Sequence, residues 1–378
     1  MPNIKSVGKL RVAIVHDYLS EYGGAEKVVN AIYQLFSNAD IYTAIKNEQS
    51  LNKAGAFVGA KIYAPKLNGL IGKFKKFFIF SYPIYFETLN LSKYDLVITS
   101  TAHFAKGVIT GPNTLHICYM HTPTRFLWGL KTETSIRDNI ILKYPLKLAD
   151  VFLRIWDFAA AQRPNYILTN SKTTQARIKK FYKRDSTIIY PFFDSTLPKE
   201  QIDSTLPKEG DYYFTISRAG KYKNLELIAK TFTELQKNIV IAGSGSLSNE
   251  LKKYKNSKYV TLLGFINEEE KISYLKGCKA FVLATENEDF GITPIEAQSF
   301  GKVVIALNSG GLAETVNKDV GILYNTPNKK ELSNAIEEFE KNKIKFDKNK
   351  IIANANNYTK QKFKDQFLNF CLQKINDS

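Results

Sequence analysis

Cysteine is scarce in this chain: three occur among 378 residues, at positions 118, 278 and 371, without metal-ligand spacing and without the even number of a disulfide framework. That excludes a small disulfide-built secreted fold and favours a reducing compartment. No apolar run reaches the roughly 20 residues that a membrane-spanning helix needs, and no secretory leader precedes the first strand-like run. A cytoplasmic protein is therefore expected. Histidine is limited to His16, His103, His116 and His121, all in the first third. Acidic residues number 36 against 53 lysines and arginines, which leaves a formal net charge of +17. Such an excess suits an acidic partner. Helix-turn-helix, zinc and RNP-type signatures are all missing, however, and the lysines are spread mostly singly, so nucleic acid is not the expected partner.

What is present is a repeated pattern of short apolar runs closing in polar or glycine residues, separated by helical stretches. Positions 10–18, 94–100 and 166–171 show it in the first half, and 212–216, 239–245, 260–266, 280–284, 303–306 and 321–324 in the second. Alternation of this kind predicts an α/β fold with doubly wound parallel sheets. With 44% hydrophobic residues the chain is long enough for two domains, each with its own core. We expect a first domain over 1–190 and a second over 211–357. Between them, 191–210 contains D-S-T-L-P-K-E twice, a nine-residue step too short for a structural repeat and read as a duplicated linker.

The densest chemistry lies between Glu288 and Glu296, two carboxylates eight positions apart around a Gly-Pro turn. The run 280–284 predicts a buried strand, and Thr293 and Pro294 predict the cap and first position of a helix. Glu288 would then stand at the carboxyl end of a strand, where open α/β sheets bind ligands. Amides of Phe290, Gly291 and Ile292 would add to the positive end of the helix, suited to phosphate or hydroxyl oxygens. Upstream, Arg218 and Lys223 stand five residues apart after the strand 212–216. Gly243 ends another strand, and Phe265 and Ile266 follow a further one. Gly310 and Gly311 follow the run 303–306, in a supporting role. In the first half, Gly23 and Gly24 open the first helix without the G-x-G-x-x-G spacing of a dinucleotide site. His121 and Arg125 belong to the string H-T-P-x-R, where Pro123 ends a strand. His116 alternates with apolar neighbours and reads as structural, while His16, Asp17 and His103 suit either a structural or a functional place.

The 288–296 element resembles the E-x7-E motif of retaining family 4 glycosyltransferases, and the Arg218/Lys223 pair is similar to the family's second motif. The resemblance implies the GT-B fold, two Rossmann-like domains facing a central cleft, with the terminal segment 358–378 packing back on the first domain. It implies a donor that is a nucleotide-diphosphate hexose, GDP- or UDP-linked, and no metal cofactor. Arg218 and Lys223 would hold the diphosphate, Glu288 the transferred sugar and Glu296 the ribose. Phe290, Gly291, Ile292, Thr293, Gly243, Phe265 and Ile266 would complete the donor site. The H-T-P-x-R string and the glycine pair resemble bacterial O-antigen mannosyltransferases. That likeness places His121 beside the donor sugar, with Gly23, Gly24 and Arg125 on the acceptor side, and suggests a glycan or lipid-linked acceptor and mannose as the sugar. A GT-B epimerase or a non-catalytic sugar-nucleotide binding module would share much of the pattern.

One segment has another character. From 61 to 86 there are five lysines and no acid, and Leu67, Leu70, Ile71, Phe74, Phe77 and Phe78 recur at helical spacing, with Lys73, Lys75 and Lys76 off that stripe. Such a helix suits contact with an anionic membrane at the cytoplasmic face, and equally suits packing on the domain's own sheet.

Overall fold

A computed structural model describes residues 10–66, 79–132, 143–194, 210–218, 220–342 and 345–377. The apolar stripe expected from Leu67 to Phe78, with its three lysines, lies outside the described residues, as does most of the duplicated linker. The chain divides into two compact units. Unit 1 comprises Met1–Leu130, Ser135–Pro191 and Gln361–Ser378, and unit 2 comprises Lys131–Thr134 and Phe192–Lys360.

Unit 1 is built on seven parallel strands: β1 (Val12–His16), β2 (Asp40–Thr43), β3 (Lys61–Tyr63), β4 (Leu96–Thr101), β5 (Leu115–Met120), β6 (Tyr166–Thr169) and β7 (Thr187–Ile188), in the order β3-β2-β1-β4-β5-β6-β7. Unit 2 holds six: β8 (Tyr213–Ile216), β9 (Ile239–Ala242), β10 (Val260–Gly264), β11 (Ala280–Leu283), β12 (Val303–Leu307) and β13 (Gly321–Tyr324), in the order β10-β9-β8-β11-β12-β13. The central strands are buried along their whole length, as in VAIVH of β1 and AFVL of β11. Helices cover both faces of such a sheet, so its strands read as continuous apolar runs rather than alternating ones. Both sheets have the order of a doubly wound Rossmann-type sheet, with strand order reversing between β1 and β4 in one and between β8 and β11 in the other.

The helices that frame the site are α1 (Gly24–Leu35), α2 (Ser81–Glu87), α3 (Lys143–Ala160), α4 (Leu225–Leu235), α5 (Glu268–Gly277) and α6 (Ile292–Ser299). A terminal helix, α7 (Lys360–Asn376), belongs largely to unit 1. It buries Phe363, Phe367 and Cys371, one residue every fourth position, and the first two meet the ring of Tyr119 in β5 at 5.8 and 6.4 Å between centroids.

Two local expectations are corrected. Helix α6 is capped by Gly291 at φ 89° and starts at Ile292, so Thr293 is its second residue and Pro294 its third. The chain must enter this helix through a left-handed backbone, which glycine adopts without strain and threonine does not. Proline is tolerated there because a helix's first turn needs no amide donors. Strand β1 also ends at His16, short of Tyr18, because the Asp17 carboxylate turns aside to bind other backbone amides.

Candidate functional site

In unit 2 the chemistry collects at the carboxyl ends of β8 and β11, the two strands at the reversal point. Ser217 and Arg218 follow β8, and a 3-10 turn (Lys221–Lys223) leads to Asn224, which caps α4 at φ 50°. After β11 come Glu286, Asn287 and Glu288. The two turns are stapled together: Asn224 Nδ2 donates to the carbonyl of Ala284 at 2.9 Å and to Glu286 at 3.1 Å, and the Glu286 amide donates to the Tyr222 carbonyl at 2.8 Å. Lys131 adds an ion pair to Glu286 at 2.8 Å.

This staple brings Lys223 Nζ to 2.7 Å from Glu288 Oε2, with the side chains only 14% and 22% exposed. Burial alone would push the ammonium towards neutrality, but the adjacent Glu288 carboxylate more than offsets it, and the pKa of Lys223 rises. Arg218, exposed, is close enough to act against that charge. The backbone beside Glu288 packs directly against glycine. Gly310 (φ 66°) bridges to Glu288, and the Gly311 amide donates to the Glu288 carbonyl at 2.9 Å. A Cβ on Gly310 would lie 2.1 Å from that carbonyl oxygen.

Glu296, one turn into α6, is engaged differently. Lys271 of α5 holds it at 2.9 Å, both side chains being about one-tenth exposed, and also reaches Glu268 at 2.9 Å. Burial again opposes the charge on Lys271, while Glu296 and Glu268 raise its pKa. Among the other expected donor contacts, the Phe265 ring is 81% exposed, whereas the side chains of Ile266 and Phe290 are buried, Phe290 against the Tyr358 ring. For those two the side chains pack inward, so any contact with a donor would come from their backbone. Gly243 (φ 86°) lets the turn after β9 approach the Ser217 carbonyl, where a Cβ would come to 2.4 Å.

Unit 1 gathers its histidines at the equivalent strand ends. Asp17, buried after β1, accepts from the amides of Ala102, His103, Phe104 and Ala105 at 2.7 to 2.9 Å and from the Thr101 hydroxyl. Although its burial acts in the opposite sense, these bonds and the nearby His103 hold the carboxyl well below the usual range. His16 Nδ1 faces the Ser100 carbonyl at 2.8 Å, and its Nε2 lies 3.6 Å from Glu26. Against the effect of burial, Glu26 and Asp17 raise the pKa of His16. His121 Nε2 lies 2.8 Å from the Ser100 hydroxyl and its ring 6.5 Å from that of His16. Burial, reinforced by charge on His16, pushes His121 down to about 4. Two adjacent imidazoles are thus driven apart, one towards the cation and one to the neutral ring, so that one is inclined to donate and the other able to accept.

The Glu26 carboxylate also accepts from the Gly23 amide at 3.0 Å. The Gly23 amide is therefore already engaged by a side chain at the start of α1. Beneath the H-T-P-x-R turn, buried Asp157 pairs with Lys106 at 2.6 Å and accepts from Thr124, Trp128 and Tyr182 at 2.6 to 2.7 Å, fastening the turn that carries Arg125. His116 is fully buried against Thr99 Oγ1 at 3.0 Å, a structural position.

Sequence reasoning missed Lys271, Asn224, Glu286, Glu26 and the anchoring role of Asp17. Lys271 left one signal, a lysine standing with Ile272 and Leu275 on the buried side of α5. The others are defined only by contacts between turns remote in sequence. Among the described residues, no group of three His, Cys, Asp or Glu side chains is placed to hold a metal ion.

Comparison with known proteins adds to this geometry. Residues 198–358 match the family model described as glycosyl transferases group 1, so the chain carries that domain across most of unit 2. It is 32% identical to the human alpha-1,3/1,6-mannosyltransferase ALG2 over 46% of this chain and 49% of that protein. The match thus spans about half the length of that relative. With ALG2 of Dictyostelium discoideum the identity is 25%, over 88% of this chain and 90% of the relative. Among solved structures, HepE of Anabaena in complex with UDP superposes with a TM-score of 0.68 at 16% identity, covering 96% of this chain and 99% of that one. The fold is GT-B, with two Rossmann-like parallel-sheet domains, as the sequence predicts.

Proposed function

We propose that this chain is a retaining glycosyltransferase that moves mannose from GDP-mannose to a glycan or lipid-linked glycan acceptor, with no metal cofactor. The observation that carries the reading is the Lys223–Glu288 pair across the reversal point of unit 2, with Arg218 beside it, inside the segment matched by the glycosyltransferase model. The mannosyltransferase names of the ALG2 relatives support the choice of sugar.

The chemistry fits the groups. As the glycosidic bond breaks, negative charge grows on the leaving diphosphate, and fixed cations in a water-poor site stabilise it most. Lys223 and Arg218 take that part. Glu288, held in place by Lys223 and by the Gly311 amide, accepts from hydroxyls of the transferred sugar. Glu296, oriented by Lys271, accepts from the ribose hydroxyls. Amides of Gly291 and Ile292 at the start of α6, with Thr293 behind them, complete the sugar side. Gly243 and the exposed Phe265 ring lie towards the nucleotide, together with the backbone of Ile266. In unit 1, neutral His121 accepts from a sugar hydroxyl, and Gly24 and Arg125 lie on the acceptor side. Retention follows same-face attack, the leaving phosphate taking the acceptor's proton. The three free and buried cysteines fit a reducing compartment, and we assign the reaction to the cytoplasm.

The test is a thermal-shift screen over nucleotide-diphosphate sugars followed by transfer assays, because a ligand that binds only the folded state raises its stability. GDP-mannose is expected to stabilise more than UDP-linked hexoses. Glu296→Ala should mainly raise the donor KM, whereas Arg218→Ala should lower kcat as well. Parent rates in both variants would refute the assignment.

A further inference from the structure

We infer that unit 1 docks on an anionic lipid surface through the outer face of α3. Leu148, Phe152 and Ile155 are 64%, 66% and 65% exposed there, and Val151 and Phe158 are also exposed. Positions 148, 151, 155 and 158 fall three or four apart, and 152 lies four from 148 and three from 155, so these side chains form one stripe along the helix. Soluble proteins scatter exposed apolar residues singly, and a contiguous stripe marks a contact surface.

Charge identifies the occupant. Both acids of this helix, Asp150 and Asp157, are buried, while Lys147 is exposed and Arg154 half-exposed. The solvent side of α3 therefore combines apolar side chains with cations and no carboxylate. Its neighbour α2 is tied to it by the bond from Trp156 Nε1 to Glu87 at 2.7 Å, and exposes Ile84, with Phe80 just before it. In sequence, the stretch leading into α2 has five lysines and no acid from 61 to 86.

A second copy of the chain would bring like charges face to face in a two-fold contact. The stripe also offers less than the ~800 Å² per partner of a standard protein interface. An anionic bilayer meets both properties at once: its headgroups neutralise the cations while its acyl boundary accepts the apolar side chains. No described helix is long and apolar enough to cross a membrane, so this contact is a surface one.

The test uses the full chain and no transfer activity. It measures sedimentation with phosphatidylcholine vesicles with and without phosphatidylglycerol, for the parent, for Phe152→Asp/Ile155→Asp, and for a control in which Lys73, Lys75 and Lys76 become Gln. The parent should bind the anionic vesicles, more weakly at high salt. The aspartate variant, folded by circular dichroism and with a parent-like melting temperature, should bind at least about tenfold more weakly. Failure of the parent to bind anionic vesicles would overturn the inference. So would parent-like binding by the aspartate variant with loss confined to the lysine control, or a parent dimer that the aspartate variant dissolves while vesicle binding stays absent.

Discussion

Replacing Lys271 with Met isolates what the buried pair beneath Glu296 contributes. The side chains have similar volume, so packing in α5 is kept and the ammonium alone is lost. Glu296 is about one-tenth exposed and Lys271 is its only ion-pair partner among the described residues, so the variant leaves a carboxylate without a counter-ion. Removing one member of a buried pair costs about 3–5 kcal/mol, most of it the penalty for the charge left behind. Glu268 adds little to that penalty, because it is half-exposed and returns to water. For a unit of this size each kcal/mol moves the melting temperature by about 2–4 °C, so the unit 2 transition should fall by about 10 °C. The double variant Lys271→Met/Glu296→Gln removes both charges and should recover most of the loss. Scanning calorimetry of parent, single and double variants reads this directly. A single variant within about 1 kcal/mol of the parent, or a double variant no more stable than the single, would refute the argument. A second readout separates stability from function: at a hundredfold excess of donor over Kd the parent should gain about 2.7 kcal/mol, and the recovered double variant should gain much less.

Gly310→Ala places a Cβ at φ 66° and 2.1 Å from the Glu288 carbonyl oxygen, with the Glu288 amide at 2.7 Å. The left-handed backbone costs about 1 kcal/mol, and the clash is with backbone that cannot rotate away, so Glu288 must shift. The donor KM should rise well beyond what a small fall in melting temperature explains, and an unchanged KM would contradict the packing role assigned to this glycine. Acid should weaken unit 1. Burial holds His116 at about 3 and His121 at about 4, so between pH 6.5 and 4 the unfolded chain takes up protons that the folded one does not. Stability is full above about 6.5 and falls through that window, by about 2 kcal/mol from each at pH 5. His16 acts in the other direction, since its raised pKa contributes most below 6.5 and is lost as pH rises. Melting curves at pH 7 and 5 should therefore fall more steeply for the parent than for His121→Asn, and equal slopes would contradict the burial argument.

The two sheets were legible because their central strands are covered on both faces, and such strands must be apolar throughout. VAIVH and AFVL, repeated between glycine and polar turns and alternating with helical stretches, read this way. Lys223 and Glu288 were each legible as residues following a strand, and the resemblance assigned both to the donor; that they meet follows from β8 lying beside β11, which the structure supplies. What escaped is tertiary. Lys271 reaches Glu296 from another helix, and its one local signal, a place beside Ile272 and Leu275 on the buried side of α5, does not name its partner. The misassigned cap at Thr293 has a physical cause too. Threonine is a good cap where the chain enters in extended backbone, but here the entry is left-handed, and Gly291 takes the position at the expense of a side-chain hydrogen bond. His16 and His121 could be placed at strand ends but not told apart, since their divergence depends on Glu26, which belongs to a helix ten residues later.

The two units solve the same topological problem with different charges, and the difference constrains the reaction. At its reversal point unit 2 sets Lys223 against Glu288 with Arg218 near the pair, so under the proposed function a diphosphate would meet cations already fixed in place. No reorganisation is then needed as charge develops on the leaving group. At the equivalent place unit 1 sets Asp17 in a nest of four amides and surrounds it with imidazoles. An anion is already bound there, made of protein, and a second one would be repelled. Under the proposed function the diphosphate would therefore bind to unit 2, and unit 1 would be left to receive the uncharged acceptor hydroxyl. Asp17→Asn offers the measurement that decides this division: it should alter acceptor KM and the pH profile while leaving donor affinity near the parent value, and a variant that loses donor binding alone would reverse the assignment.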